Sequence, residues 1–469
     1  MLVPWLSLFD LRTAYSNFIE TKKISPNWKS DDFVILIPIF NDVKYLTNIK
    51  FLKRYKGKVI LCTTNMETDE FYNELEEIAR KNKFKVIKCD FKKEAKNPWK
   101  IYQKTLLAHD YVLGKSMEQL KSKYVVFLDA DTTCRTDLSY LAGSMERYQL
   151  DLASVRVIPS KRRTIVENLQ HIEYHTAMKS RRIYPWLTSG AAMIGKREDL
   201  IKIMSKHSLF FNGGDIEIGK LANLEGLKID HLPVTFYTDV PQTFPKLIKQ
   251  RFSWFCGAFR HSVINAHTNF FSPIYAFYFT IIIFLMLPLK MYELFTHWFI
   301  LPFLFLFYFI VNLISNLEIK NKRYLPLFPL YSLFQILVLP VFGVYRYGKT
   351  VIQTGNLGII KKFYKNGYHP IRYSFNILIL IAITFFIFNI HLVEGQLLLG
   401  HIDLFSLIGI NFNQDNSFSI IYNGLKLTTL LTAIFLFLMG FFKTRYHLKF
   451  YLKKNKNKFP KLNYLLSIL

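Results

Sequence analysis

Cysteine is scarce in this chain: four residues in 469, Cys62, Cys89, Cys134 and Cys256, with no C-x-x-C pair among them. That excludes a zinc knuckle and a disulfide framework, and it suits a reducing cytoplasm. Acid is also in short supply. Asp and Glu number 34 against 61 Lys and Arg, a formal net charge of +27. Such an excess fits a protein held against anionic lipid or one that binds anionic phosphates. Nucleic acid would need a basic face in the polar half. Much of the basicity instead lies beside apolar segments, so no nucleic-acid partner is expected. The short apolar stretch Val3–Leu11 lacks the basic flank of a signal peptide and the length of a span, so residues 1–30 are expected to form an interfacial or packing segment. Apolar residues are abundant: 51% of the chain is hydrophobic and 44 residues are Phe, which excludes a disordered chain.

The composition changes near residue 270. Residues 270–289, 294–317, 324–345 and 373–393 contain no Asp, Glu, Lys or Arg, and about 418–442 contains only Lys426. Each is close to the ~20 residues that cross a bilayer as a helix. The basic tail 443–469 and the basic stretch 346–372 are expected on the cytoplasmic side, and the Lys- and Arg-free linker Tyr373–Leu425 outside. Segment 324–345 then begins and ends on one side. With Pro326, Pro329 and Pro340 it is expected to be re-entrant or interfacial, leaving four spans in 270–442; five spans is the alternative.

Before residue 245 the pattern alternates. Phe33–Ile39, Lys58–Cys62, Phe84–Lys88 and Tyr124–Leu128 are short apolar runs that read as strands, with helical patterns at Glu70–Lys81 and Trp99–Leu113 between them. This is the rhythm of an α/β domain over 31–244 with a mostly parallel sheet, whose ligands bind at the carboxyl ends of the strands. The amphipathic stretch 245–269 places Ile248, Phe252, Phe255 and Phe259 on one helix face, which is expected to lie along the membrane surface.

Asp129-Ala130-Asp131 follows the YVVFL strand directly. Two carboxylates at that position can hold Mg²⁺ or Mn²⁺ against a diphosphate. Asp215 follows Gly213-Gly214 and precedes helically spaced Ile216, Ile218 and Leu221, so it is a candidate general base. A place at a helix N-terminus is expected to lower its pKa; the plainer reading is a helix cap. Gln250 and Trp254 lie one turn apart and can address one ligand, with Arg251 able to clamp phosphate and the indole able to stack on a sugar. His171 and His175 share a helix face, but no acid–His spacing joins them, and no metal site is expected there. Arg162, Arg163, Arg181 and Arg182 fit either an anion-binding surface or lipid headgroups. His207 is expected to shape the acceptor site.

These motifs, in this order, resemble the inverting family 2 glycosyltransferases, in particular the membrane-integrated branch of cellulose, chitin and hyaluronan synthases. The resemblance covers residues 32 to 262 by motif and the remainder by architecture. FVILIPIFND resembles the strand and turn that meet the nucleotide base, implying Pro38 and Asn41. Lys100 resembles the lysine of G-K-x-x-A-L-N, and FLDADTT the metal-binding element, with Ala130 at the donor. Ser189-Gly190 resembles the acceptor loop, Asp215 the aspartate of T-E-D, and QRFSW the Q-x-x-R-W element. Thr63-Thr64 stand where many members carry paired aspartates, which leaves Thr64 as the candidate for base recognition, and Ser253 stands in place of an arginine. The resemblance implies a GT-A-like Rossmann-type domain followed by an all-α transmembrane region. It also implies a nucleotide-sugar donor, UDP-linked by default, and a saccharide or membrane-lipid acceptor. The catalytic domain would lie on the cytoplasmic face of the cell membrane. A non-catalytic membrane protein with a degenerate domain is the reading from another class.

Overall fold

The computed structural model describes residues 16, 22–91, 108–265, 283–284, 298–319 and 322–360. The chain divides into two compact units, one containing 21–268 and 339–368, the other the remaining segments. Lys100, the apolar stretch Val3–Leu11, segments 373–393 and 418–442, nearly all of 270–289 and the tail 443–469 lie outside the described residues.

The first unit is built on a mixed sheet of eight described strands: β1 (Phe33–Pro38), β2 (Val59–Thr64), β3 (Lys85–Cys89), β4 (Tyr124–Leu128), β5 (Thr133–Cys134), β6 (Leu152–Pro159), β7 (Ala192–Lys196) and β8 (Ile229–Thr238). Their order is β3-β2-β1-β4-β7-β6-β8-β5. The half β3-β2-β1-β4 is entirely parallel. β7 runs antiparallel to both β4 and β6, while β8 is parallel to β6. The apolar runs of β1, β2 and β4 are buried almost throughout, as strands covered on both faces must be. β3 is the edge and keeps Lys85 and Lys88 exposed, which blunts it against further pairing.

Six helices matter below: α1 (Asp69–Asn82), α2 (Ala108–Glu118), α3 (Ile165–Ile183), α4 (Gly214–Leu224), α5 (Phe244–Phe259) and α6 (Leu339–Thr354). Local chemistry sets their ends. Thr68 caps α1 by accepting from Phe71 N–H at 3.3 Å. Thr164 and Glu167 form a reciprocal capping box at the start of α3. All four cysteines are free and buried.

The apolar stripe of α5, half-buried throughout, packs in part against α6. Phe252 stacks on Phe342 of α6 with centroids 4.6 Å apart, and Phe259 meets Tyr347 at 5.3 Å. A side chain at Gly343 would collide with Phe255, so glycine permits this close crossing. Periodicity identifies the apolar face of a helix but not what covers it. The boundary between the compact units falls between Val338 and Leu339, and α6 groups with the sheet. Pro340 lacks an amide hydrogen, which explains the break between the helix Phe328–Leu337 and α6.

In the second unit, Leu301–Ser315 and Phe328–Leu337 share a small cluster of Leu304, Tyr308, Leu333 and Leu337. Phe303, Leu306 and Leu330 are exposed. Among the described residues one helical stretch, Leu325–Thr354, is long and apolar enough to cross a membrane.

Candidate active site

The sheet reverses direction beside β4, and the candidate residues gather there. Antiparallel register sets Ala192 of β7 opposite Leu128 of β4, and Asp129 N–H donates to Ala191 O at 3.2 Å. The Ser189-Gly190 loop therefore abuts the Asp129–Asp131 turn. From the other side, the loop after β1 fixes the same turn. Thr47 and Asn48 amides donate to Ala130 O, and Asn48 Nδ2 donates to the Asp129 and Thr132 carbonyls. β8 ends at Thr238, whose hydroxyl donates to Asp131 Oδ1 at 2.9 Å, with Thr132 Oγ1 at 3.2 Å.

Asp129, Ala130 and Asp131 are half-buried. Burial, with the neighbouring Asp131 and then Asp215, pushes the Asp129 carboxyl up to about 6, against the pull of His109. Burial also raises Asp131, against its bond from Thr238. Asp129 and Asp215, remote in sequence, both bond to the loop before β7: Asp129 through Ala191 O, and Asp215 through Gly190 N–H.

Asp215 is in the first turn of α4 and half-buried. It is not the cap: Gly213 holds that place at φ 74°, a left-handed conformation suited to glycine. Gly190 N–H donates to Asp215 Oδ2 at 2.8 Å, and Thr188 Oγ1 donates to the Asp215 carbonyl. The expected downward pKa shift is overturned. Burial raises the carboxyl, and the bond from Gly190, the charge of Arg181 and the bond from Ile216 do not offset it. A carboxylate so raised is a stronger base.

The QRFSW residues form an adjoining group. Arg251 is 1% exposed and is held by Glu173 Oε2 at 2.6 Å and Gln250 Oε1 at 2.7 Å. Its guanidinium stacks 3.8 Å from the Trp254 ring centroid, and Trp254, 44% exposed, lies 6.2 Å from Tyr174. Arg251 is thus engaged by protein. Pro38, Asn41 and Thr64 form a separate cluster at the ends of β1 and β2. Glu67 joins it, accepting from Asn41 N–H at 3.2 Å and Thr64 Oγ1 at 3.4 Å. Thr64 itself is fully buried.

Several site residues escaped sequence reading. His109 in α2 donates or accepts through Nδ1 at 2.9 Å from Asp110 Oδ1, and its ring lies 6.3 Å from Phe40. Burial works to lower the His109 pKa, but Asp110, Asp129 and Asp215 outweigh it and the net shift is upward. Asp110 in turn packs against Gly214, where a side chain would collide with its carboxylate. Glu67 and Tyr174 also belong here. No periodicity marks any of them; an acid directly after a histidine in an apolar helix was the one available signal. His207 does not line the site: it is buried, 3.2 Å from Gly214 O and 3.6 Å from Glu217. Glu217 is fully buried, 3.0 Å from Arg260, and accepts from Ser208 N and Oγ.

Residues 124–317 match the family model for glycosyl transferase family group 2. The matched segment contains Asp129, Asp131, Asp215 and Gln250–Trp254, and it supports a glycosyltransferase. Curated proteins give no match. Among solved structures, a mannosyltransferase from Pyrobaculum calidifontis in complex with GDP-Man and Mn²⁺ is 10% identical, with 92% of this chain and 99% of that one covered at a TM-score of 0.38. Glucosyl-3-phosphoglycerate synthase from Mycobacterium tuberculosis, in complex with Mn²⁺, UDP and phosphoglyceric acid, is 15% identical over 50% of this chain and 76% of that one, at 0.30. Scores this low do not define a shared fold.

Proposed function

We propose that the chain is an inverting, membrane-embedded glycosyltransferase with a GT-A-like domain that moves a sugar from a nucleotide-diphosphate donor to an acceptor hydroxyl. The observation that carries this reading is the loop Gly190–Ala191 at the reversal of the sheet, which bonds Asp215 through Gly190 N–H and Asp129 through Ala191 O. Asp215 takes the proton of the acceptor hydroxyl. The acceptor oxygen bonds to the anomeric carbon as the bond from that carbon to the donor diphosphate breaks, on the opposite face. The nucleoside diphosphate leaves with the electron pair, and configuration inverts.

The residues fit a divalent cation. Burial raises the proton affinity of both carboxylates and Asp131 raises that of Asp129 further, and a cation relieves that cost. Asp129 and Asp131 would hold Mg²⁺ or Mn²⁺. No group of three or more potential ligands exists among the described residues, so substrate oxygens and water would complete the shell. When bound, the cation neutralises charge on the leaving diphosphate. Pro38, Asn41 and Thr64, with Glu67, line the base side of the donor, and Lys100 is assigned to the donor by resemblance. Ser189, Gly190, Gln250 and Trp254 face the acceptor or diphosphate, with Arg251 orienting Gln250 and Trp254.

The apolar segments after residue 270 support placement in the cell membrane, catalytic domain inward, and synthesis of a secreted polysaccharide from a UDP-sugar. A lipid acceptor, polyprenyl phosphate or a glycolipid, is the second reading. Purified protein in lipid nanodiscs, given a panel of nucleotide sugars with Mn²⁺, tests this by mass analysis of the products. A ladder of saccharides supports the polymer, and a single glycolipid supports the lipid acceptor. No transfer or donor hydrolysis across the panel overturns the transferase.

A further inference from the structure

The residue before the proposed base has no side chain, and a carboxylate from another helix stands in its place. Gly214 is the first residue of α4. Unlike Gly213 it is not left-handed, so backbone conformation does not call for glycine there. Asp110 of α2 does. A β-carbon at residue 214 would overlap Asp110 Oδ2 and lie 2.8 Å from its Cγ and Oδ1. In the T-E-D pattern an acid precedes the aspartate. Here the acid is at that place in space but comes from α2.

Asp110 is 3% exposed. Its Oδ1 lies 2.9 Å from His109 Nδ1, whereas Oδ2 has no hydrogen-bond partner among the described residues. His207 Nδ1, 4.0 Å away, does not supply one, because it already accepts the Leu209 N–H at 3.0 Å. The His207 proton is therefore on Nε2, 3.2 Å from Gly214 O. Gly214 is thus held at its carbonyl by His207 and packed at its α-carbon by Asp110. A buried carboxylate oxygen left unpaired costs stability, so packing alone does not explain an acid here. The start of α4 does: Gly213 caps the helix without a side chain, and negative charge is favoured at such an end.

Resting on the transferase reading, we propose that Asp110 is a positioning residue for Asp215. It supplies from α2 the acid that residue 214 lacks, and it fixes the turn from which the base reaches Gly190 N–H. It acts through the backbone of Gly214 rather than on substrate.

The test uses the full chain in lipid nanodiscs with Mn²⁺. Release of nucleoside diphosphate from UDP-glucose, UDP-N-acetylglucosamine and GDP-mannose is followed, with UDP and GDP binding and the melting temperature measured beside it. Asp110→Asn keeps the size of the side chain and an acceptor for His109 but removes the charge. It is expected to lower kcat by about 10-fold or more, because a small misplacement of a reacting group is costly. The donor KM, diphosphate binding and melting temperature should hold. The second variant moves the acid. Asp110→Ala alone should lose turnover, and Gly214→Glu alone should collide with Asp110 and lose stability. Combined, they return the carboxylate to residue 214 itself, and turnover and stability should both recover beyond the sum of the single effects. Wild-type kcat in Asp110→Asn overturns the proposal, as does a loss that only tracks KM or the folded fraction. A combined variant as stable as the wild type but no more active than Asp110→Ala also overturns it. Should the combined variant fail to fold, Asp110→Asn decides alone. These outcomes leave the transferase reading in place, whereas a wild type that turns over none of the donors removes both.

Discussion

Asp215 and Glu217 are two residues apart on one helix, yet they lie in opposite regions. Glu217 faces the charged interior behind α4, where Arg260 and Ser208 satisfy its carboxylate completely. Asp215 sits at the sheet reversal, where the Gly190 amide bonds its carboxylate. The interior region is closed and neutralised within the protein. The region around Asp215 is polar and carries several acids, as a site built for a charged ligand does. A buried acid is therefore not by itself a candidate catalyst; its partners decide.

The comparison is most sharply tested by paired substitutions. Asp215→Asn is expected to cut turnover by about 10²–10⁴-fold while nucleoside diphosphate binding and melting temperature hold. Normal turnover in this variant would remove the base from the cleft. Asp131→Ala should abolish Mn²⁺-dependent nucleotide binding, read by titration calorimetry, again with the fold intact. Glu217→Gln should do the reverse. Leaving Arg260 buried without its acid costs about 3–5 kcal/mol, visible in denaturant unfolding, and any loss of turnover should follow the loss of folded protein. A Glu217→Gln enzyme that is stable but inactive would erase the distinction between the two regions.

The pH dependence sharpens the contrast further. Because burial raises Asp215, it stays protonated and inactive at pH values where an ordinary aspartate is already ionised. Turnover should thus rise with pH along a limb displaced upward from the usual carboxylate range. The interior responds to pH through stability. Burial, then the charges of nearby arginines, holds His231 down to about 3, and burial with Arg260 holds His261 well below its ordinary value. Both stay neutral when folded, whereas the unfolded chain takes up protons near pH 6.5. Stability is therefore full above about pH 6.5 and is lost as pH falls below it, which thermal melting across pH 4–8 should reveal. The smallest effect is expected at the rim: Trp254→Ala should lower acceptor affinity only several-fold, since the indole remains partly in water.

The parallel half of the sheet was legible because β1, β2 and β4 are uninterrupted apolar runs, and a strand buried on both faces has little choice of composition. Asp129 and Asp131 were legible by position, directly after such a strand. The antiparallel partner β7 was not. Its five residues, Ala192–Lys196, carry no signal of direction. His109 and Glu67 were hidden for a related reason: each is an ordinary polar residue in its own segment and acquires meaning only through a neighbour far along the chain.

Sequence alone determined which stretches are apolar, where the parallel strands lie, and which acids stand at strand and helix ends, because those are local consequences of burial and backbone geometry. Only the tertiary structure decided that phenylalanines of α5 pack against α6, that Glu173 engages Arg251, and that burial raises Asp215 despite its place at a helix N-terminus. Those outcomes depend on which charges and surfaces meet across the fold, and Coulomb energy and desolvation are set by distance in space rather than by separation along the chain.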